Sequence, residues 1–389
     1  MAGGRAAEGR SIRLVLVFVA TRWLSYVSFQ ALPLIIGALI AAAGLSPTTS
    51  GALAGAELLA LAVTAQRAAR SVNSTNFVLF ATVGSGLAAA GQLLTATAGG
   101  VTAIAACRVA SGVGAGFLAA AANASLSAMP TPERWFSRIG AVGSAVAALL
   151  LGGLPVLAAH AGQRSVFVAI GVGMLIALAC ARALPRPAHI AQPAAQQVSR
   201  KLQRADWILL AGVALFSLGQ GAIWAFAERL SVAIGVSASS LGLWFLAGSL
   251  VGIGGSLAAG WTGSRLGRTR PIVLGVLTGA VGCLLLSRAG SQAAFGSMLL
   301  VYFFATQFVF PLLFGLSAVL DTSGMLVTAS TNVLLLTSAA APVVGGALLV
   351  SGGFAAVGWL SVSCCGIAAA MFVAATRGLE MRLAHRPGA

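Results

Sequence analysis

The sequence predicts an all-α membrane protein, with twelve transmembrane helices in two pseudo-symmetric six-helix bundles. Three observations predict it. Of 389 residues, 59% are hydrophobic and only 8% charged, about a third of the charge that a water-facing surface carries. The apolar residues fall into twelve runs near the roughly 20-residue length that crosses a bilayer core, and a short motif recurs at an offset of 191 residues. The runs are rich in Ala, Leu and Val and longer than barrel strands, so they satisfy their backbone groups within helices.

In chain order the runs are 12–43, 48–66, 76–97, 101–128, 137–159 and 164–184, then 206–234, 238–261, 271–288, 293–319, 323–350 and 354–376. Breaks fall at Gly, Pro and Arg clusters; those between the third and fourth and between the eleventh and twelfth runs are the least marked. The tails are 1–11 and 377–389. Between the bundles 12–184 and 206–376 lies a polar linker, 185–205, with Pro185, Pro187, Pro193 and the basic cluster Arg200, Lys201, Arg204. That cluster reads as an anchor to anionic lipid headgroups. The recurring motif is Gly44, Ser46 and Gly51 against Gly235, Ser237 and Gly242. Pseudo-symmetric halves place a binding site at the midplane between them, where rocking opens it to either side.

Charge placement sets orientation. With the N-terminus inside, short inner segments hold 18 of the 23 Lys and Arg, leaving Arg22 and Arg108 inside runs and Arg164, Arg229 and Arg288 near outer ends. Both termini are therefore expected in the cytoplasm, and the net charge of +16 is a topology signal that implies no nucleic-acid partner. No removable signal peptide is expected, because the start is short and polar and the first run too long. Habit of composition, rich in Ala and Gly with short outer loops, suggests a bacterial inner membrane. Cys107, Cys180, Cys283, Cys364 and Cys365 all lie in apolar runs without ligand spacing, so neither a disulfide framework nor a metal site is expected.

Of seven acids, Glu8, Glu133, Asp206, Asp321 and Glu380 sit in or beside the expected cytoplasmic segments, and only Glu57 and Glu228 are left for the membrane. An acid at a helix centre costs about 2.5–3.5 kcal/mol on insertion scales, so its presence there points to function. Glu57 lies roughly 13 Å into the second run, Arg108 roughly 10 Å into the fourth, and Arg22 roughly 15 Å up the first, at 1.5 Å per residue. The matched depths predict that Glu57 carries a proton with Arg108 or Arg22 as its switching partner; a fixed ion pair that ties the helices together is the equal alternative. Glu228, beside Arg229 near an outer end, reads as a gate contact or, more simply, a solvated helix end. For Trp23, Trp135, Trp207, Trp244, Trp261 and Trp359 the simplest role is anchoring at the membrane interface. Ser330, Thr331 and Asn332 suit interhelical hydrogen bonds.

Gly260, Arg265, Gly267 and Arg268 stand in a frame Gly-x-x-x-Asp-Arg-x-Gly-Arg between the eighth and ninth helices, with Ser264 in place of the acid, while the first-half loop keeps only Arg67 and Arg70. This frame resembles the loop pattern of the major facilitator superfamily. Arg108-x-x-x-Gly112-x-Gly114-x-Gly116 is similar to its fourth-helix pattern, and Gly162-Gln163-Arg164-Ser165-Val166-Phe167 to its Gly-Trp-Arg-x-x-Phe. The proline-glycine hinge associated with antiporters is fuller in the eleventh run, Pro342-Val343-Val344-Gly345-Gly346, than in the fifth, Gly152-Gly153. The resemblance covers residues 12–376. It implies gating by Gly260, Arg265, Gly267, Arg268 and the Pro342 hinge. It also implies a central cavity lined by the first, fourth, seventh and tenth helices, on which Tyr26, Gln30, Asn123, Gln220, Trp224, Tyr302 and Gln307 fall.

The function expected is secondary transport of a small organic molecule, a small carboxylate or a neutral amphipathic compound, by alternating access and coupled to protons. Two buried Arg beside few acids make a cation the least suited cargo. A transporter-like sensor or scaffold, or an uncoupled lipid transporter, is the alternative from another class. His160, His189 and His385 lie far apart and no phosphate loop is present, so no enzyme activity and no cofactor are expected. The expected partners are lipid, substrate and proton, with the chain acting as a monomer.

Overall fold

The computed structural model describes residues 11–129, 132–186, 202–263, 269–321 and 325–384. Among these every regular element is helical, and each of the twelve runs becomes a helical span. Ten helices are long and apolar enough to cross a membrane. The last of them, Met325–Thr376, holds the eleventh and twelfth spans, which meet at a non-helical Gly353. The sixth span, Ser165–Ala181, is shorter at 17 residues.

The first span is not one regular helix. Ser11–Gln30 contains a π-helical stretch, Val19–Trp23, and a 3-10 turn, Leu24–Tyr26, and the chain restarts as Leu32–Ala43 after Ala31. Pro33, with no N–H to give the preceding turn, stands at the start of the second part. The second to fifth spans are Pro47–Ala68, Phe77–Thr97, Val101–Ser127 and Pro132–Ala161. The seventh, Arg204–Ala225, opens with a capping box in which Gln203 and Asp206 satisfy each other's backbone N–H. It breaks at Phe226 and continues as the short Ala227–Ala233. The eighth to tenth are Ala238–Gly263, Thr269–Ser287 and Gln292–Leu320.

The 191-residue offset is a structural repeat. Gly44 and Gly235 both end helices in the left-handed region, at φ 64° and 74°, and Gly162 and Gly353, at the same separation, do so at 82° and 66°. After the first pair, Ser46 Oγ accepts from Thr49 N (3.1 Å) and Ser237 Oγ from Ser240 N (3.2 Å), identical caps on the following spans.

Two compact units result, one of Met1–Leu45 with Ala56–Gln196 and one of Ser46–Gly55 with Gln197–Ala389. The first ten residues of that second unit belong there because Gly51 lies against the Pro342 carbonyl and Thr48 Oγ1 donates to Gly346 O at 3.2 Å. The core of the first unit is built from Phe18, Ile35, Leu61, Phe77 and Leu118, and that of the second from Phe216, Ile272, Val309, Leu313 and Phe372. Trp207, Trp261 and Trp359 are exposed, as membrane-interface anchors would be, whereas Trp23 and Trp244 pack on Gly143 and Gly296. Ser330 meets Ser317 Oγ at 3.0 Å, joining the tenth and eleventh spans, while Thr331 bonds only within its own helix.

Candidate functional site

In the first unit, Glu57 of the second span and Arg108 of the fourth are joined as an ion pair, 1% and 0% exposed. Glu57 Oε2 takes the Arg108 Nη2. Its other oxygen, Oε1, accepts from Ser28 Oγ (2.9 Å), Ser111 Oγ (2.8 Å) and Gln92 Nε2 (3.0 Å). Gln92 is the hub: its Nε2 also reaches both serine oxygens at 3.0–3.1 Å, and its Oε1 receives Arg108 Nη1 at 2.8 Å. The far face of the guanidinium rests on the Phe167 ring, 5.3 Å from its centroid, a contact worth about 2 kcal/mol when desolvated. Four spans thus meet at one carboxylate, and a fifth, through Phe167, backs its arginine.

Local sequence explains the convergence. Arg108 and Ser111, three residues apart, share one face of the fourth span. One residue further, Gly112 faces the Glu57 backbone carbonyl so closely that no Cβ fits between them, which lets the second and fourth spans approach to ion-pair distance. A buried pair repays its desolvation only when the remaining lone pairs and protons are satisfied. Here every carboxylate oxygen has a donor, and Arg108 Nε is the one atom of the pair without a partner.

Arg22, the other candidate partner, lies in the π-helical stretch and donates through Nε to Asn123 Oδ1 at 3.0 Å. This contact unites two residues expected in different roles. Tyr26 and Gln30 are half-buried on the irregular part of the first span. Glu228 departs from the solvated-end reading. It is buried and held in a fork by its neighbour, Oε2 to Arg229 Nε and Oε1 to Nη2, both 2.6 Å. Consecutive helical residues do not ordinarily face one another; the break at Phe226 puts this pair on a short separate turn. Pro342 lies inside its helix and Gly260 is exposed. Arg265, Gly267 and Arg268 lie outside the described residues.

In the second unit Gln220, Trp224 and Tyr302 form a second cluster. Trp224 stacks on Tyr302 (5.8 Å, 8°) and meets Phe245 and Phe303 edge-on at 5.4 and 5.3 Å. Gln220 is buried, with Cys283 Sγ donating to its Oε1 at 3.1 Å and its Nε2 3.6 Å from Cys365 Sγ. Tyr302 Oη donates to the Gln220 backbone carbonyl at 3.4 Å. Gln307 does not join them: it is exposed, with its side chain against Gly252.

Sequence reasoning missed Ser28, Gln92 and Ser111, and gave Phe167 a place in a motif but no part in this site. Gln92 carried a signal, a large amide in the middle of an apolar run. The two serines had none, because serine is an ordinary residue in such runs. No group of His, Cys, Asp and Glu among the described residues is suited to hold a metal ion.

Against known proteins, residues 18–331 match the sequence profile of the Major Facilitator Superfamily. No curated protein matches the sequence. Among solved structures the chain is similar to a bacterial homolog of the human lysosomal transporter Spinster, inward-facing and occupied, with TM-score 0.74 and 16% identity over 95% of this chain and 97% of that one. It is similar also to the nucleoside transporter NupG (0.71, 12%, 94% and 99%) and to a D-xylose-proton symporter (0.68, 15%, 92% and 97%). At such identities the likeness is one of fold.

Proposed function

We propose, because the chain belongs to the Major Facilitator Superfamily, that it is a proton-coupled secondary transporter moving a small carboxylate or a neutral amphipathic compound by alternating access. The buried Glu57–Arg108 pair carries this reading. Its geometry separates the two carboxylate oxygens by role. Oε1 keeps three neutral donors, whereas Oε2 has Arg108 alone. A proton arriving at Oε2 therefore displaces the guanidinium without releasing the carboxyl group, and Arg108 keeps Gln92 Oε1 and the Phe167 face as partners. Protonation of Glu57 and release of the Arg108 side chain are thereby linked, while Ser111 of the same span stays on Oε1; a proton-dependent change of partner is what coupling requires. A proton symporter of the same fold lends precedent.

Trp224 and Tyr302, with Gln220 beside them, offer apolar faces with polar handles suited to an amphipathic cargo; within the first unit Tyr26, Gln30 and Asn123 are the proposed contacts, and Gln307, exposed and apart from the cluster, makes none. Glu228, Gly260 and Pro342, with Arg265, Gly267 and Arg268, are proposed to gate. The count of Lys and Arg supports cytoplasmic termini; a monomer in a bacterial inner membrane fits the composition. The completeness of the Glu57 network favours one other reading, a fixed pair that only ties helices together.

Proteoliposomes enclosing a pH-sensitive dye, challenged with a panel of small carboxylates and amphipathic neutrals, separate the two. With coupling, one compound drives proton flux, and Glu57→Gln still exchanges that compound but moves no protons. Proton flux that persists in Glu57→Gln overturns the assignment, and a folded chain silent to the whole panel favours sensing or lipid movement.

A further inference from the structure

The first unit holds a cavity of about 360 Å³ between the ends of the first, third, fourth and sixth spans. That volume lies in the range of small-molecule sites. Ala38, Leu39, Ala42, Ile104 and Phe167 form apolar walls, Gly99 and Gly100 contribute backbone, and Arg164 and Thr95 are the polar side chains. Thr95 spends its hydroxyl on Gly91 O at 2.6 Å. Arg164 is exposed, and its guanidinium has neither an ion pair nor a hydrogen bond within the described chain. No acid lines the cavity.

The internal repeat shows what is missing. At the same 191-residue offset, Ala38 corresponds to Arg229, Arg164 to Ala355 and Phe167 to Gly358. In the second unit the guanidinium, Arg229, falls at the position that Ala38 holds in the first, and it has a carboxylate in the Glu228 fork. The first unit carries its guanidinium at Arg164, where the second has Ala355, and no carboxylate lines its cavity. An apolar cavity with one uncompensated guanidinium complements a molecule with an apolar body and one anionic end.

We propose that this cavity binds a small amphipathic monocarboxylate, its charged end on Arg164 and its body against Ala38, Leu39, Ile104 and Phe167. Phe167 is shared, since its ring carries Arg108, so the bound anion abuts the Glu57 network. The site is distinct from the residues proposed for cargo and needs no proton movement, so it stands or falls apart from the transport reading.

Binding of radiolabelled octanoate to the full chain in phosphatidylcholine nanodiscs, without a gradient and corrected for empty discs, tests it. Expected are saturable binding of one octanoate per chain, at least tenfold weaker binding in Arg164→Gln, near-parental binding in Arg164→Lys, and loss in Ala42→Phe, which fills the cavity. Ala98→Phe fills the same space should Ala42→Phe fail to fold. Octanol should compete at least tenfold less well than octanoate, and Arg288→Gln, which removes an exposed guanidinium elsewhere, should bind as the parent does. No binding by the parent overturns the proposal. So do binding in Arg164→Gln within twofold of the parent, octanol competing equally, or Arg288→Gln weakening binding as much as Arg164→Gln.

Discussion

Replacing Glu57 by Gln keeps the shape of the side chain and removes its charge. Within the network the new amide oxygen can still accept from Ser28, Ser111 and Gln92, so that half is preserved. At the other position an NH₂ replaces Oε2 and faces Arg108 Nη2, donor against donor. Arg108, wholly buried and unable to shed its charge, is left with Gln92 Oε1 and the Phe167 ring. Breaking a buried pair by removing one partner costs about 3–5 kcal/mol, and Glu57→Gln should fall there. Glu57→Gln combined with Arg108→Gln removes both charges and should be more stable than Glu57→Gln alone, because no uncompensated buried charge is left. Reversible chemical denaturation in mixed micelles, run as a double-mutant cycle, reads the coupling directly. If the single variant unfolds within about 1 kcal/mol of the parent, Arg108 is not desolvated as described, and the argument that makes this pair a coupling site fails with it.

Three further outcomes follow from the same packing. Gly112→Ala drives a methyl into the Glu57 backbone carbonyl, a contact that no side-chain rotation relieves, and should destabilise by about 1–3 kcal/mol in the same denaturation assay. Phe167→Leu removes the ring beneath Arg108 and loses packing besides, since Phe167 is buried; a double-mutant cycle with Arg108→Gln should give a coupling of about 2 kcal/mol, and a coupling near zero would deny the cation–π contact. Gly353→Ala, at φ 66° and ψ −169°, should cost about 1–3 kcal/mol of backbone strain, visible as a lowered melting temperature without change in helix content by circular dichroism.

Much of the architecture is legible in the sequence because a bilayer permits few backbone solutions. Twelve apolar runs became twelve helical spans, and the motif at offset 191 marked a repeat whose left-handed glycines and serine caps reappear in both halves. The Glu57–Arg108 pair was legible from matched depth, since a charge buried in lipid seeks another. The interruption of the first span was not, because a run of apolar residues carries no mark of where a helix tightens or unwinds. Glu228 was misread for a related reason. Its place near a run's end suggested solvent, and only the break at Phe226 folds it inward against Arg229.

The sequence by itself determined the class of protein, the number of spans, and the pairing of one acid with one of two arginines, all of which follow from hydrophobic length and the cost of charge in hydrocarbon. Tertiary structure alone decided which arginine. Arg22 was drawn to Asn123 and Arg108 to Glu57, because Gly112 lets the second and fourth spans close and because Gln92, Ser28 and Ser111, on other spans, complete the shell around the carboxylate. Such agreement among residues far apart in the chain depends on helix rotation and spacing, which hydrophobic length leaves free.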